Sequence, residues 1–476
     1  MTAERRLVIV GGGIAGLAAA WEASHRSVEV EVLDAGAVPG GKLRTSPLAG
    51  TPTDEAADMF LARVPDGRAL AEEIGLGDRL IQPSAGGAAV WADGAAHPLP
   101  GGLVLGVPTD ADLLEGSALV GPHDVAATRA ELARSGPPLT ADCSIGALIR
   151  DRLGDRIADR LVAPILGGIN AGVIDRLSLA AVAPQLDAAA RSGPSLTAAL
   201  AAGRSDTTFS GVAGPPPAPV FHGLPGGMAQ LVDALRSALA QRGVRLSGGV
   251  SATSVRRRGG RLEVTTAAGS DPATGAGPAE RIISADAVIV ATPAAAAAAL
   301  LEAAAPRTSA RLGRLRTSSV AMVRLALRPQ QVLAPPGRAG LLVPHHSGLI
   351  TAAISYASTK WEHLGGDGLV RLRISVGHDG DHDSPRLPEA ELVTRVLGEA
   401  AMLTGLDGPP VDVSVLRWPE AFPQYDVGHL DACAAMDATL AEELPGVRLT
   451  GASYRGLGIP ACVREGRAAA ASAVEG

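Results

Sequence analysis

The sequence has 476 residues, of which 46% are hydrophobic and only 2% aromatic, and its formal net charge is −7. This length favours two or three domains with a large buried core, and the scarcity of aromatic residues predicts a ligand pocket lined mainly by aliphatic side chains. The negative charge argues against a nucleic-acid-binding protein, because neutralising phosphates requires a basic surface; a small anionic ligand would need only a local basic patch.

The chain opens with the pattern of a β-α-β unit. Residues 7–10 form a continuous apolar run typical of a buried parallel strand. Three glycines follow at 11–13, and residues 14–24 have helical character. Residues 28–33 predict a second strand, with Asp34 at its end.

The middle of the chain is rich in predicted helices. Segments 68–76, 124–135 and 141–162 have helical spacing, with Thr140 or Asp142 as the expected N-cap of the last. Residues 192–219 are rich in Gly, Pro, Ser and Thr and predict a surface loop. A further helix is expected over 227–242.

Short strands then alternate with turns. We expect strands at 244–246, 250–257, 262–266 and 287–291, and a separate antiparallel sheet that contains 318–328 and 367–378. The C-terminus repeats the opening pattern, with a strand at 447–450, a glycine-rich loop at 451–460 and a helix at 462–474. The first and last segments are therefore predicted to form one domain, with the middle inserted.

No segment has the pattern of an export signal or a membrane span. Residues 1–6 are a short charged lead, and the Ala-rich stretch 294–305 contains Glu302 and is too short to cross a bilayer. The three cysteines, Cys143, Cys433 and Cys462, fit no zinc spacing and indicate a reducing compartment. We expect a cytoplasmic protein without a metal site.

The opening unit carries a dinucleotide fingerprint. Gly11, Gly13 and Gly16 form G-x-G-x-x-G between a strand and a helix, where glycines permit the tight turn, the approach of a pyrophosphate and close helix packing. The helix N-terminus favours the negative diphosphate. Asp34 is placed to accept hydrogen bonds from ribose hydroxyls. The pattern predicts a dinucleotide cofactor.

Two further motifs favour FAD over NAD. Residues 40–45 (GGKLRT) resemble the signature of the amine-oxidase-like flavoproteins, in which the glycines pass the FAD diphosphate and the arginine reaches toward it. Residues 450–460 resemble the segment that lies against the flavin ring in that superfamily, where a helix N-terminus stabilises the reduced ring. Val250 matches a strand position whose backbone meets the adenine.

Five stretches resemble the protoporphyrinogen/coproporphyrinogen oxidase family, and most closely its Gram-positive coproporphyrinogen III oxidases. Together they run nearly from end to end of the chain. They are residues 58–63 (DMFLAR), 164–172 (PILGGINAG) with 177–179 (LSL), 221–228 (FHGLPGGM), 417–429 (RWPEAFPQYDVGH) and 456–462 (GLGIPAC).

This resemblance implies an α/β fold with a discontinuous Rossmann-like FAD-binding domain, an inserted mixed-sheet substrate-binding domain and a helical domain. The expected domain boundaries follow from the placement of the motifs. They are 1–60, 220–295 and 440–476 for FAD binding, 61–90 and 296–439 for substrate binding, and 91–219 for the helical domain.

The resemblance also implies the reaction: a six-electron oxidation of coproporphyrinogen III to coproporphyrin III in heme biosynthesis, with hydride transfer to flavin and hydrogen peroxide formed from oxygen. Gly168 matches the position whose backbone carbonyl orients the pyrroles, and Arg63 a basic position that suits the substrate carboxylates. Asn170 falls in the same substrate zone, where relatives often have an aromatic residue. A ferrochelatase that accepts the product is a candidate partner.

The residues expected to hold FAD form one set. It consists of Gly11, Gly13, Ile14, Ala15, Gly16, Asp34, Gly40, Gly41, Lys42, Arg44, Val250, Ala291, Gly451, Gly456, Gly458, Ile459 and Pro460.

Three alternatives stay open at this point. The substrate could instead be protoporphyrinogen IX, which has two propionates rather than four carboxylates. A flavin amine oxidase or a carotenoid desaturase would share the glycine motifs, although amine oxidases build an aromatic cage from residue types that are scarce here. A non-enzymatic relative such as a GDP-dissociation inhibitor shares the fold but loses the glycine fingerprint, which this chain keeps.

Overall fold

The computed structural model describes residues 5–84, 86–204, 219–269, 279–332 and 338–475. The strands in chain order are β1 (Arg5–Val10), β2 (Val28–Asp34), β3 (Thr45–Leu48), β4 (Thr51–Asp54), β5 (Phe60–Leu61), β6 (Ala88–Ala92), β7 (Ala95–Pro98), β8 (Leu103–Val104), β9 (Val107–Pro108), β10 (Phe221–His222), β11 (Arg245–Gly248), β12 (Ala252–Arg258), β13 (Arg261–Gly269), β14 (Ala279–Ala285), β15 (Ala287–Val290), β16 (Thr317–Leu327), β17 (Gly340–Leu342), β18 (Thr351–Tyr356), β19 (Val370–Val376), β20 (Asp412–Pro423) and β21 (Val447–Leu449).

The helices lie between and around these strands. They are α1 (Ile14–Ala23), α2 (Pro65–Glu73), α3 (Pro122–Leu132), α4 (Ile145–Leu153), α5 (Asp155–Ile157), α6 (Ala163–Asn170), α7 (Leu179–Val182), α8 (Pro184–Ser192), α9 (Leu196–Arg204), α10 (Ala229–Gln241), α11 (Ala294–Leu301), α12 (Pro306–Leu312), α13 (Ala357–Lys360), α14 (Glu389–Thr404), α15 (His429–Glu443) and α16 (Ile459–Glu475).

A parallel five-stranded sheet joins distant parts of the chain. Its order is β11-β2-β1-β15-β21, so the N-terminus supplies two strands, the middle two and the C-terminus one. The register places Leu7 opposite Val30 on one side and Ala287 on the other. The continuous apolar runs at 7–10 and 287–290 are buried because helices cover both faces of a parallel sheet.

Two hydrophobic clusters cover the faces of this sheet. Helices α1, α2, α10 and α16 pack on one face, and α11, α12 and α15 pack on the other together with the antiparallel sheet β12-β13-β14. Helices α1 and α16 cross closely, because a Cβ on Gly466 would lie only 2.2 Å from the backbone oxygen of Ala15. The two ends of the chain are thereby packed into one unit, as the repeated strand-loop-helix pattern predicts.

A second, seven-stranded sheet has the order β20-β16-β19-β18-β17-β6-β7. The predicted strands at 318–328 and 367–378 are its neighbours β16 and β19, with Arg324 opposite Arg373. These two strands pair antiparallel, as expected, and the sheet as a whole is mixed, as the resemblance implies, since β17 and β6 pair in parallel with Leu341 opposite Ala89. Helix α14 covers one face of this sheet.

The helical region departs from the sequence prediction in three details. The helix expected over 141–162 is two helices, because Gly154 breaks it at φ +88°. The N-cap of α4 is Ser144 rather than Thr140 or Asp142, since its hydroxyl accepts the N–H of Ala147 at 3.1 Å. The expected loop at 192–219 begins with α9, and residues 205–218 lie outside the described part of the chain.

A continuous helical stretch runs from α5 through a π-helical turn (Ala158–Val162) into α6 and ends where Ala171 adopts a left-handed backbone with φ +46°. Within the described residues, no helix is long and apolar enough to cross a bilayer. The buried residues form four large clusters, two of them on the parallel sheet. The division into three domains at the boundaries given above stays our proposal.

Candidate active site

The first glycine turn has the geometry of a nucleotide-binding loop. Gly11 has φ +108°, and a Cβ there would lie 2.8 Å from the backbone of Ala291. A Cβ on Gly16 would lie 1.9 Å from the carbonyl oxygen of Gly11, so only glycine permits α1 to start this close to the strand. No side chain caps α1 at Gly13, and its first N–H groups are therefore available to an anion.

Asp34 is held at the edge of this turn by two backbone groups. Its carboxylate accepts the N–H of Gly12 at 2.6 Å and that of Gly36 at 2.8 Å, one on each oxygen. A carboxylate has about four acceptor positions, so both oxygens keep capacity for ribose hydroxyls. This arrangement fits the role predicted for Asp34.

The second glycine motif touches the first. Gly41 has φ +61°, and a Cβ on it would lie 2.9 Å from the Cα of Gly13. Arg44 donates from Nε to the carbonyl of Gly41 at 3.1 Å, and its guanidinium lies 5.6 Å from the centre of the Trp418 ring. The two motifs predicted to pass the same diphosphate therefore meet in space.

Lys42 and Gly40 flank this contact. The ammonium of Lys42 donates to the carbonyl of Ala421 on β20. A Cβ on Gly40 would lie 3.2 Å from the side chain of Val232 on α10. Lys42 therefore tethers the glycine segment to β20, and a direct contact of Lys42 with a diphosphate stays a prediction.

Val250 and Ala291 extend the site along the carboxyl end of the sheet. Val250 donates its N–H to the carbonyl of Asp34 at 2.9 Å, and Ala291 donates to that of Val10 at 2.7 Å. The placement of Val250 inside a strand is wrong, because β12 starts only at Ala252 and Val250 lies in the turn before it. Val250 nevertheless lies next to Asp34, whose carboxylate is predicted to bind the ribose. A backbone contact of Val250 with the adenine would be expected at this place.

The C-terminal glycine loop closes on the same end of the sheet. Gly451 has φ +114° and Gly456 φ +132°, and Thr450 donates to the carbonyl of Val290 at 3.0 Å. Gly458 precedes α16, whose first two residues are Ile459 and Pro460. The loop before α16 reaches the first glycine turn, since a Cβ on Gly451 would lie 3.6 Å from the carbonyl oxygen of Ala291 and 3.9 Å from the side chain of Ala15. A contact of the helix N-terminus with the flavin ring stays a prediction.

The structure places the three substrate candidates on two segments, with Arg63 before α2 and with Gly168 and Asn170 on α6. Arg63 lies between β5 and α2, is exposed, and has no hydrogen bond or ion pair within the described residues. Gly168 is exposed on α6, where a Cβ would meet only Leu342, at 3.7 Å. Close approach of a flat ligand to Gly168 is sterically open.

Asn170 does not present its side chain to a ligand. It is 7% exposed, and its amide donates to the carbonyl of Leu166 at 2.8 Å, one turn earlier in α6. Its own carbonyl accepts the side-chain amide of Gln424 at 3.0 Å. Any contribution of Asn170 to substrate binding would pass through the backbone of the turn.

A buried ionic cluster lies beneath the predicted substrate segment and was missed by sequence reasoning. The carboxylate of Asp58 accepts the ammonium of Lys360 at 2.8 Å and the indole N–H of Trp361 at 3.0 Å, and Arg373 lies 3.5 Å away. Burial acts to raise the pKa of Asp58, but the charges of Arg373 and Lys360 outweigh it and hold the pKa below its usual range. Only the resemblance of 58–63 to a family motif could have drawn attention to Asp58.

A second missed feature is a stacked histidine pair beside α6. The rings of His345 and His378 are parallel, with centroids 3.8 Å apart, and a Cβ on Gly167 would lie 3.4 Å from the His345 ring. Burial and the neighbouring His378 lower the pKa of His345 to about 4. The stacked pair therefore presents a flat surface behind the helix that carries Gly168, and the ring of His345 within it is neutral near pH 7.

Comparison with known proteins identifies the family. The sequence model for flavin-containing amine oxidoreductases matches residues 14–474. The chain belongs to this family. The crystal structure of a protein from Exiguobacterium sp. 255-15 has a TM-score of 0.85 and 29% sequence identity over 100% of both chains. Cyclohexylamine oxidase from Brevibacterium oxydans IH-35A shares the fold at a TM-score of 0.67 and 16% identity, with 99% of both chains covered.

Curated relatives refine the placement within the family. Coproporphyrinogen III oxidase of Mycobacterium leprae is 35% identical over 97% of this chain and 96% of its own length. The proteins of the same name from Propionibacterium freudenreichii and Bacillus subtilis are 32% and 29% identical, over 98% and 99% of this chain and 90% and 98% of their own lengths. These matches confirm the predicted membership in the protoporphyrinogen/coproporphyrinogen oxidase group, its fold class and its nature as a flavin-family oxidoreductase.

Proposed function

We propose that the protein is an FAD-dependent coproporphyrinogen III oxidase that uses oxygen as the electron acceptor. The observation that carries this proposal is the full-length similarity to relatives named coproporphyrinogen III oxidase, at up to 35% identity among those compared above. The site supports it, because two touching glycine motifs, the Asp34 carboxylate and an uncapped helix N-terminus together suit a flavin dinucleotide.

In this proposal each part of the site binds one part of the cofactor or substrate. Gly11, Gly13 and Gly41 leave room for a diphosphate beside the N–H groups of α1, and Asp34 binds the ribose. The N-terminus of α16 and the glycine loop before it lie against the ring, where the helix dipole favours the reduced, negatively charged form. Bound FAD supplies the hydride acceptor.

The chain's own contribution to chemistry is positioning. Hydride leaves a meso carbon of the porphyrinogen, and no strong base is required to make that carbon react. The exposed backbone of Gly168 is proposed to orient the pyrroles, and the unpaired Arg63 to bind a substrate carboxylate. Three such oxidations, each passing two electrons to oxygen, give the porphyrin and three molecules of hydrogen peroxide.

Turnover assays test this proposal. Purified, flavin-loaded protein is given coproporphyrinogen III or protoporphyrinogen IX in air, and porphyrin fluorescence and peroxide are followed; the released flavin is identified by chromatography. We expect FAD, a higher kcat/KM with coproporphyrinogen III, and three peroxides per porphyrin. A preference for protoporphyrinogen IX would favour the second candidate, which the 26% identity to the bovine protoporphyrinogen oxidase over 98% of both chains keeps open.

The structure disfavours an amine oxidase. An aromatic cage beside the flavin would need aromatic rings free to face it. The three tyrosines, Tyr356, Tyr425 and Tyr454, are each only 2% exposed, and the partly exposed Trp418 lies against the Arg44 guanidinium. Peroxide production from amines would contradict this argument. A ferrochelatase remains our candidate product acceptor, and co-purification of the two proteins would test that contact.

A further inference from the structure

Residues 424–429 connect β20 to α15 and run between the turn that follows Gly168 and the C-terminal glycine loop. We refer to them as the bridging segment. Its first two side chains, Gln424 and Tyr425, are each 2% exposed. Gln424 is hydrogen-bonded to the turn after Gly168, which the proposed function assigns to the substrate, and Tyr425 is hydrogen-bonded to the C-terminal loop, which it assigns to the flavin.

Gln424 holds the turn at the end of α6. Its side-chain amide lies 3.0 Å from the carbonyl oxygens of Asn170 and Phe422 and from the hydroxyl of Ser318, and 3.5 Å from the carbonyl of Ala171. Carbonyl oxygens only accept, so the NH₂ of Gln424 must face them. This single side chain therefore ties the turn to both β16 and β20.

The backbone of this turn is strained and fixed by several donors. Ala171 has φ +46°, which is uncommon for a residue with a Cβ. Its carbonyl accepts the N–H of Asp379 at 2.7 Å and the hydroxyl of Ser318 at 3.0 Å, in addition to the contact from Gln424. Such a conformation persists only where the surroundings determine it, so the position of Gly168, three residues earlier, depends on these bonds.

Tyr425 holds the other surface. Its hydroxyl donates to the carbonyl of Ala452 at 2.5 Å and accepts the N–H of Gly456 at 3.0 Å, which closes the C-terminal loop across its ends. Its backbone carbonyl accepts the N–H of Ser178 at 2.7 Å, on the side of the helical region. Burial raises the pKa of Tyr425 far above its usual value, so the phenol stays protonated as a donor.

The ring of Tyr425 is itself fixed in place. It stacks on His429, with centroids 4.1 Å apart and planes 18° from parallel. His429 in turn bonds through Nε2 to the carbonyl of Tyr454 at 2.7 Å, within the same C-terminal loop. The hydroxyl of Tyr425 therefore has little freedom to follow a movement of the loop.

From this geometry we propose that Gln424 and Tyr425 are a pair of positioning residues that set the spacing between the macrocycle-facing turn and the flavin-facing loop. The inference rests on the proposed function for what occupies the gap. Neither side chain touches the reacting atoms; each acts through the backbone that it holds. Hydride transfer depends steeply on distance and alignment. Loss of the hydrogen bonds made by the bridging segment would therefore slow hydride transfer more than it would weaken substrate binding.

Tyr425→Phe tests the proposal, because it removes both hydroxyl bonds and keeps the stacked ring. We expect the anaerobic rate of flavin reduction, per bound flavin, to fall about tenfold or more while KM changes less than about threefold. The amide of Gly456 should exchange with solvent about tenfold faster. Tyr356→Phe, the same change at an equally buried tyrosine of the second sheet, should leave both quantities as in the wild type.

Gln424→Met provides the second arm and loosens only the turn. If the two residues set one spacing, the double variant should be slower than either single variant but faster than the product of the two losses predicts. Fully multiplicative losses, or a Tyr425→Phe protein with unchanged flavin reduction and unchanged Gly456 exchange, would overturn the proposal. Failure of the proposed function would look different, since the wild-type flavin would then not be reduced by any porphyrinogen while the exchange result still reported on the bridge.

Discussion

At the scale of single residues, the glycines of the first turn differ from the many others in this chain by what surrounds them. A Cβ on Gly16 would lie 1.9 Å from a backbone oxygen that cannot move without displacing β1, whereas a Cβ on Gly398, also inside a helix, would meet nothing within 4 Å. Spacing in the sequence marked Gly16 as functional, and the structure supplies the physical reason. The two positions therefore make a matched pair.

We expect Gly16→Ala to destabilise the protein by ~2 kcal/mol or more and to weaken flavin binding, because the added carbon forces α1 away from the strand. Gly398→Ala should stabilise by ~0.5–1 kcal/mol, since it only removes backbone freedom from the unfolded chain. Urea denaturation and flavin titration of both variants measure these effects. Equal behaviour of the two would show that the turn can relax and that the steric argument is wrong.

Asp54 gives a pH-dependent prediction at the same scale. Burial raises its pKa from 3.8 to about 6, although Thr45 and the N–H of Met228 donate to its carboxylate. The folded state therefore binds the proton more tightly than the unfolded state. Its stabilising contribution is complete below the unfolded pKa and is lost as the pH rises through about 6.

Compared with Asp54→Asn, the wild type should lose ~1–3 kcal/mol of stability as the pH rises from about 4 to about 6, and the difference should be constant above that window. Unfolding free energies from urea titrations across this range provide the measurement. If the difference in stability between the wild type and Asp54→Asn did not change with pH, the carboxyl of Asp54 would have the same pKa in the folded and unfolded states, and the prediction would be wrong.

At the scale of elements, the ionic cluster around Asp58 joins the segment before β5 to α13 and β19. Lys360 lies 302 residues from Asp58 along the chain, and both side chains are about 8% exposed. Removing one partner of such a pair leaves a buried charge, which costs far more than loss of a surface ion pair. The cluster thus fixes the segment that carries Arg63 against the second sheet.

Lys360→Met should destabilise the protein by ~3 kcal/mol, whereas Arg395→Met on the exposed side of α14 should change stability by no more than ~0.5 kcal/mol. Adding Asp58→Asn to Lys360→Met should cost less than the sum of the two single losses, because the ion pair between Asp58 and Lys360 is lost only once, whereas Arg373 stays beside position 58 in every variant. Thermal or urea unfolding of the wild type, Lys360→Met, Asp58→Asn, the double variant and Arg395→Met decides this. Additive losses from the two changes would show that Asp58 and Lys360 are not energetically coupled.

The elements also show what the sequence could and could not predict. The strands at 7–10 and 287–291, the helix after Gly13 and the closing C-terminal helix follow from local apolar patterns and glycine placement, and the structure has them. The joining of Asp58 to Lys360 and of Tyr425 to Ala452 depends on how distant segments pack, which no local pattern records. Val250 was misplaced because the local pattern does not mark where the strand begins: β12 starts two residues later, at Ala252, and the backbone N–H of Val250 bonds to the carbonyl of Asp34 instead.

At the scale of the whole molecule, the two ends of the chain and two strands from its middle build the half of the proposed site that carries the glycine turns. The parallel sheet takes strands from three separate stretches, and α1 and α16 pack as closely as two backbones allow at Gly466. Arg63 lies on the segment that the Asp58 cluster fixes against the second sheet, and Gly168 lies on α6 of the helical region. In the proposed function, a flavin bound at these turns has its ring open toward Arg63 and Gly168.

The most direct test is to mix the purified, flavin-loaded protein with coproporphyrinogen III in the absence of oxygen and to follow the visible absorbance of the oxidised flavin. The account predicts that this absorbance is lost after anaerobic mixing, because the substrate reduces the flavin. When air is admitted, the absorbance should return and porphyrin fluorescence should appear. A flavin that dithionite bleaches but that coproporphyrinogen III and protoporphyrinogen IX both leave oxidised would contradict it.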